Sequence, residues 1–224
     1  MHRAGTFVGD IVINPWYDPF LAALVAGDRR RALAVVTDAR TSDADVRTLY
    51  LDVFQPALRE VGRLWQENEM SIAQEHLATA ITEIAMAKLQ GEAALLPLRG
   101  DLTLIAACAD SELHAVGLRM VCDLLEHQGW DVTYLGASVP PEGLASMIRA
   151  RRPTVVAISA STAPYVPRIR AMITAIRGSE GDRPYLLVGG RPFLDDEALA
   201  QAIGADSTAR DAGAAVEMLM EAFG

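Results

Sequence analysis

Apolar residues follow two regimes along this chain. Up to about residue 96 they recur at three- and four-residue steps, and beyond residue 100 they come in short solid runs separated by helical stripes. In the first regime Phe20, Leu21 and Leu24 share a face just after Pro19. Gly27-Asp28 ends that turn, and Asp28 is placed to cap the next helix, whose apolar set is Ala32, Leu33, Val35 and Val36. Thr41-Ser42-Asp43 reads as the next capping cluster. Val46, Leu49, Tyr50, Val53, Phe54, Ala57, Leu58, Val61 and Leu64 then mark a long amphipathic helix. Pro56 is expected to kink it or loosen one turn. Trp65 closes that helix, Glu67-Asn68-Glu69 makes a polar turn, and Ser71 is placed to cap a last helix from Ile72 to about Leu96. Several helices with short joins predict a small bundle.

In the second regime the runs at Leu102–Ala107, Val132–Leu135, Thr154–Ile158 and Tyr185–Val188 are the length of buried parallel strands, with a short fifth at Asp206–Thr208. Helical stripes lie between them: Leu118, Val121, Leu124 and Leu125; Leu144, Met147 and Ile148 behind Pro140-Pro141; Ile169, Met172, Ile173 and Ile176; and Leu194–Ile203. A last stripe covers Asp211–Phe223. Strict alternation predicts an α/β fold with an open, mostly parallel sheet. The expected organisation is an arm over 1–15, a helical domain over 16–98 and an α/β domain over 99–224. Ligands of such sheets bind beyond the carboxyl ends of the strands, so the loops after the first, third and fourth strands are where chemistry is expected.

Composition narrows the function classes. The chain has 224 residues and a formal net charge of −9, which argues against a protein built to grip phosphate backbones. No apolar run is long enough to cross a membrane, and no secretory signal is visible at the start. The two cysteines, Cys108 and Cys122, are too few for a disulfide framework, so a cytoplasmic setting is expected.

The first of the three loops reads Asp110-Ser111-Glu112-Leu113-His114-Ala115-Val116-Gly117. It would present the imidazole of His114 to a transition metal, with Glu112 able to hold the other ring nitrogen. Gly117 would let a large flat ligand approach the backbone. The second loop carries Ser159 and Ser161, small hydroxyl residues that leave room for a ligand. The third carries Gly189-Gly190, a pair suited to close approach or positive φ. Each loop alone is also what an ordinary strand end looks like.

Their spacing is distinctive, with 41 residues between Gly117 and Ser159 and 27 between Ser161 and Gly189. In these elements and separations, residues 101–224 resemble the cobalamin-binding domain family. That family has an acidic-x-His-x-x-Gly element, then Ser-x-Leu, then Gly-Gly. Ser161 stands where the family usually has Leu, and Glu112 where Asp is commoner. The resemblance implies a flavodoxin-like or Rossmann-like sheet of five parallel strands. It implies His114 as the lower axial ligand of cobalt in place of the cofactor's own dimethylbenzimidazole. The displaced nucleotide tail would enter a slot lined by Ser159, Ser161, Gly189 and Gly190.

The helical half resembles the caps of that family. Trp65 is followed by nine residues and then Glu75-His76. This Trp-x9-Glu-His pattern is similar to the adenosylcobalamin-dependent photoreceptors, in which the Trp shields the adenosyl group and the Glu-His pair contacts it. Those repressors carry a DNA-binding domain ahead of the cap. Here a short arm stands in that place, so direct nucleic-acid binding is not expected. In the best known members a histidine follows the Trp and captures cobalt after illumination. Here that residue is Gln66, so the same adduct cannot form there.

The resemblance implies a non-enzymatic light sensor holding adenosylcobalamin. Cleavage of its cobalt–carbon bond would be signalled by cap rearrangement and by a change in a dark-state homo-oligomer or in a protein partner. The alternative is a corrinoid carrier of a methyltransferase system. A free-standing mutase subunit ranks third. Whether a second chromophore such as a bilin binds stays open.

Overall fold

The structure, a computed structural model, describes residues 14–93, 97–178, 183–196 and 198–224. The expected arm over 1–15 therefore lies almost wholly outside the described residues. The chain divides into two compact units after Gly91.

The first unit is helical: α1 (Tyr17–Val25), α2 (Arg29–Thr41), α3 (Val46–Thr48), α4 (Gln55–Gln66) and α5 (Ile72–Ala93). Asp28 caps α2 as expected, its Oδ1 accepting from Arg31 N at 3.0 Å. The next cap differs from the expectation. Thr41 still belongs to α2, Asp43 turns the chain with φ 62°, and Asp45 caps α3 by accepting from Thr48 N. A side chain caps only from the residue just before the first helical turn, and the intervening turn moves that position on.

The long amphipathic helix exists but is not uniformly α. Leu49–Phe54 is a π segment that joins α3 to α4. Pro56 lies just beyond it and lacks an N–H, and its ring crowds the carbonyl four residues back. A wider i→i+5 turn ahead of it accommodates both defects without a break. Ser71 and Gln74 form a reciprocal capping box at α5: Gln74 N donates to Ser71 Oγ at 3.3 Å, and Ser71 N to Gln74 Oε1 at 2.9 Å. The core of this unit is aromatic at its centre. Phe20 and Phe54 are 4.9 Å apart between ring centroids and Tyr50 lies 5.5 Å from Phe54, with Leu24, Val36, Val53, Ile81, Met86 and Leu89 also buried.

The second unit alternates as predicted: β1 (Thr103–Cys108), α6 (Val116–Glu126), β2 (Asp131–Gly136), α7 (Pro141–Arg151), β3 (Val155–Ser159), α8 (Val166–Arg177) and β4 (Tyr185–Gly189). It continues through α9 (Arg191–Asp195), α10 (Ala198–Ala202), β5 (Ser207–Thr208) and α11 (Ala212–Phe223). The expected single helix over Leu194–Ile203 is therefore two short ones. Asp196 is extended, with φ −148° and ψ 94°, and its Oδ1 accepts from Ala198 N, so the chain stops and restarts.

All five strands are parallel, in the order β2-β1-β3-β4-β5. This is the doubly wound, flavodoxin-like arrangement. Alternate residues serve opposite faces. Ile105, Val156, Ile158, Leu186 and Val188 pack with Leu144, Ile148, Ile169, Met172, Ile173, Ile176 and Phe193. Leu104, Ala106, Val155 and Leu187 are equally buried, and α6 packs with α11. The order reverses between β1 and β3, and ligands of such sheets bind beyond the strand ends at that switch point.

Candidate functional site

The α/β unit brings the predicted loop residues together at that switch point. Ala109 N donates to Ser159 O at 2.9 Å, joining the ends of β1 and β3. The chain then turns back, with Glu112 N donating to Ala109 O at 2.9 Å. That turn drives the Glu112 side chain inward to complete burial, and the next residues emerge: Leu113 is 74% exposed.

A buried carboxylate needs partners, and Glu112 has four donors. Its Oε1 accepts from His114 N at 2.8 Å and lies 2.7 Å from His114 Nδ1. Its Oε2 accepts from both the N and the Oγ of Ser161 at 2.6 Å. Each oxygen thus takes two bonds, the full capacity of a carboxylate. Burial pushes the Glu112 carboxyl up, but the bonds from Ser161 and His114 outweigh it and hold the pKa below its ordinary value. The group is therefore ionised and can only accept. The proton on the His114–Glu112 bond must then sit on Nδ1, so the neutral ring carries its lone pair on Nε2.

The His114 side chain is 69% exposed although its carboxylate partner is wholly buried. Both of its ring contacts, to Glu112 and to Ser161 Oγ at 3.1 Å, fall on Nδ1. An outward imidazole held from behind by a carboxylate is an arrangement able to ligate a metal. Among the described residues no group of three metal-binding side chains could enclose an ion. One imidazole fits a metal that brings its other ligands with it in a macrocycle.

Two of the loop glycines leave space. A Cβ on Gly117, in the first turn of α6, or on Gly189 would meet nothing within 4 Å. Gly190 is the opposite case, with φ 106° and a position for Cβ only 1.8 Å from Ala160 O. Ser159, Ser161, Gly189 and Gly190 are all half-buried at the strand ends. Ser161, expected to line a slot, bonds the buried carboxylate behind His114. Cys108 ends β1 beneath this loop, its Sγ 3.8 Å from His114 O, and burial pushes its thiol up to about 12. His127, the other histidine in this unit with an imidazole to offer, caps α6 at its carboxyl end.

Sequence reasoning missed two residues that support the loop, Ser138 and Arg168. Ser111 N donates to Ser138 Oγ at 3.1 Å, and Ser138 N to Glu112 O at 2.9 Å. Arg168, on α8, reaches Asp110 and Ser111. A positive φ at two serines was the only local sign, and it is not visible in sequence.

The helical unit repeats the carboxylate–imidazole device. His76 Nδ1 lies 2.5 Å from Glu75 Oε2, and Thr79 donates to Glu75 Oε1 at 3.2 Å. The His76 side chain is 69% exposed, as at His114. Trp65, near the end of α4, is 43% exposed, so it does not close the bundle core. Ile72, Leu77 and Ile84 on α5 are exposed as well.

Residues 102–219 match the B12 binding domain family, and residues 16–90 match a second family also described as a B12 binding domain. The chain is 27% identical to the HTH-type transcriptional repressor CarH of Myxococcus xanthus, covering 83% of this chain and 61% of that protein. It therefore spans about three fifths of the repressor's length. It is 26% identical to the trimethylamine corrinoid protein of Methanosarcina barkeri, covering 90% of this chain and 93% of that protein. The solved structure of the Methanosarcina barkeri monomethylamine corrinoid protein matches with a TM-score of 0.80 at 18% identity, covering 93% and 98% of the two chains, which is a likeness of fold. Among the described residues no helix is long and apolar enough to cross a membrane.

Proposed function

This chain belongs to the B12 binding domain family, with a helical cap ahead of the α/β domain, and on that premise we propose that it is a corrinoid carrier. His114 would hold the cobalt of the corrinoid, and the bound cofactor would supply a cobalt able to carry a methyl group between partner enzymes. The observation that carries this reading is the imidazole held by buried Glu112 with its Nε2 lone pair outward. When bound, cobalamin supplies a weak cobalt–carbon bond, open to exchange with a partner enzyme or to cleavage by light. The chain's own residues hold and orient. Glu112 and Ser161 fix the tautomer and aim of His114. Gly117 and Gly189 would leave room beside a bound corrinoid, Ser159 would line the same strand ends, and Gly190 lets the main chain close against Ala160 there. The near end-to-end match to the trimethylamine corrinoid protein supports the carrier reading ahead of light sensing.

Light sensing with adenosylcobalamin is the second reading. The exposed Trp65 and the Glu75–His76 pair favour it, because a flat apolar face with polar partners suits a nucleoside. Its output would be a change of assembly from a dark homo-oligomer or a change of protein partner. Mixing the purified protein with methylcobalamin and with adenosylcobalamin in darkness, then illuminating, separates the two readings. Both predict a histidine-ligated absorption spectrum, and a spectrum unchanged from free cofactor would overturn both. A carrier binds the two forms with similar affinity and keeps its mass in light scattering after illumination. A sensor prefers the adenosyl form and changes mass.

Trp65→Ala tests the second reading directly. If Trp65 covers the adenosyl group, the variant loses about 1–3 kcal/mol of preference for adenosylcobalamin over methylcobalamin in competition titrations, while corrin binding survives. Equal relative affinities in variant and wild type would remove Trp65 from the cofactor site.

A further inference from the structure

The loop that carries His114 is held in a conformation the chain would not adopt unaided. Ser111 has φ 66° and its contact Ser138 has φ 51°, both in the left-handed region that non-glycine residues avoid. Two such residues bonded to each other, one residue from Glu112, need an outside constraint to persist.

The constraint comes from α8. Arg168 lies in the first turn of that helix, where a cation is disfavoured by the helix dipole. Its guanidinium turns instead to the neighbouring loop. Nη1 donates to Asp110 O at 3.0 Å and to Ser111 Oγ at 2.5 Å, and it pairs with Asp110 Oδ2 at 3.1 Å. The guanidinium also sits over the Tyr165 ring, 5.8 Å from its centroid, which fixes the side chain's direction. Two ties therefore join the loops after β1 and β3. The inner one is Glu112–Ser161, fully buried on the carboxylate side, and the outer one is Asp110/Ser111–Arg168, at the rim.

We propose that Arg168 is a positioning residue for cobalt ligation, holding Asp110–Ser111 in the strained turn that keeps Glu112 beneath His114. It touches neither the metal nor the imidazole and acts through the loop. Without it Ser111 relaxes toward ordinary φ, the bond to Ser138 is lost, and the Glu112–His114 unit no longer returns to one orientation. This rests on His114 being the cobalt ligand, and the test separates the two.

Wild type, Arg168→Ala, Arg168→Lys and His114→Ala are each titrated with aquacobalamin and followed by absorption, with folding checked by circular dichroism. At saturation the fraction of cofactor carrying a histidine-ligated spectrum reports ligand geometry, which a merely structural role would not move. Arg168→Ala is expected to lower that fraction and to weaken binding about ten-fold, as for loss of one or two partly exposed charge-assisted bonds. Arg168→Lys, which keeps one donor, is expected to fall in between. If His114→Ala loses the histidine spectrum while Arg168→Ala saturates with the wild-type spectrum and affinity, the positioning role is wrong and the ligand assignment stands. If His114→Ala keeps the spectrum, the ligand assignment fails, and the proposal with it.

Discussion

Gly190→Ala is expected to destabilise the α/β unit by about 4 kcal/mol or more. At φ 106° and ψ 171° the backbone occupies a region open essentially to glycine alone. The added Cβ would also stand 1.8 Å from Ala160 O, and that neighbour is main chain rather than a side chain able to swing away. Ala160 N donates to Gly189 O at 3.1 Å, and Ser159 pairs with Gly189 in the sheet. Relief of the clash therefore means parting β3 from β4 at the end where the tail slot is expected. The urea midpoint of the variant, followed by far-ultraviolet circular dichroism, measures the effect. Gly117→Ala is the control, since its Cβ meets nothing and a helical Gly→Ala exchange is worth about 0.5–1 kcal/mol in the stabilising direction. A Gly190→Ala midpoint equal to wild type would contradict the geometry.

The second large effect is on the cofactor. Glu112→Gln is expected to cost about 10- to 100-fold in cobalamin affinity, the usual weight of a group that orients a metal ligand. Four donors converge on this side chain. However the amide turns, its NH2 faces two of them, and each donor left unsatisfied costs about 1–3 kcal/mol. His114→Ala, which removes the ligand itself, is expected to cost more, and His127→Ala nothing measurable. Titration followed by absorption distinguishes these, and a Glu112→Gln affinity within two-fold of wild type would leave the carboxylate without a role. The apo-protein's acid stability should change too. The folded pKa of Glu112 lies below its ordinary value, so its contribution to stability is complete above about pH 4.5 and disappears as pH falls through the folded value. The Gln variant lacks that limb of the profile.

The parts of this architecture that a sequence exposes are those set by neighbours along the chain. Solid runs such as Leu104–Ala107 are strands because both faces of a parallel sheet are buried, and their loops follow directly. His114, Glu112 and the glycines were visible because a motif fixes them at set separations. The contacts between loops were not. Nothing local says that Ser161 reaches Glu112, 49 positions away, or that Arg168 reaches Asp110 across 58. The π segment was half-visible: Pro56 announces a defect, but whether the helix bends or widens depends on the packing of Tyr50 and Phe54. The break at Asp196 was hidden because an apolar stripe across Leu194–Ile203 fits two short helices as well as one.

The two cysteines give the chain an unintended experimental property. Cys108 and Cys122 are both buried, and burial holds both thiols far above neutral pH. At pH 7 neither is a thiolate, so neither should react with a maleimide while the protein stays folded. The native sequence then serves as its own blank for site-directed labelling. A cysteine introduced at Gln66 and another at an exposed position on α8 would carry paired fluorophores without removal of any native residue. The emission of each fluorophore would then report changes in its own surroundings when cofactor is added. Mass spectrometry after maleimide treatment checks the premise: no adduct on the folded protein, and two once it is unfolded in denaturant.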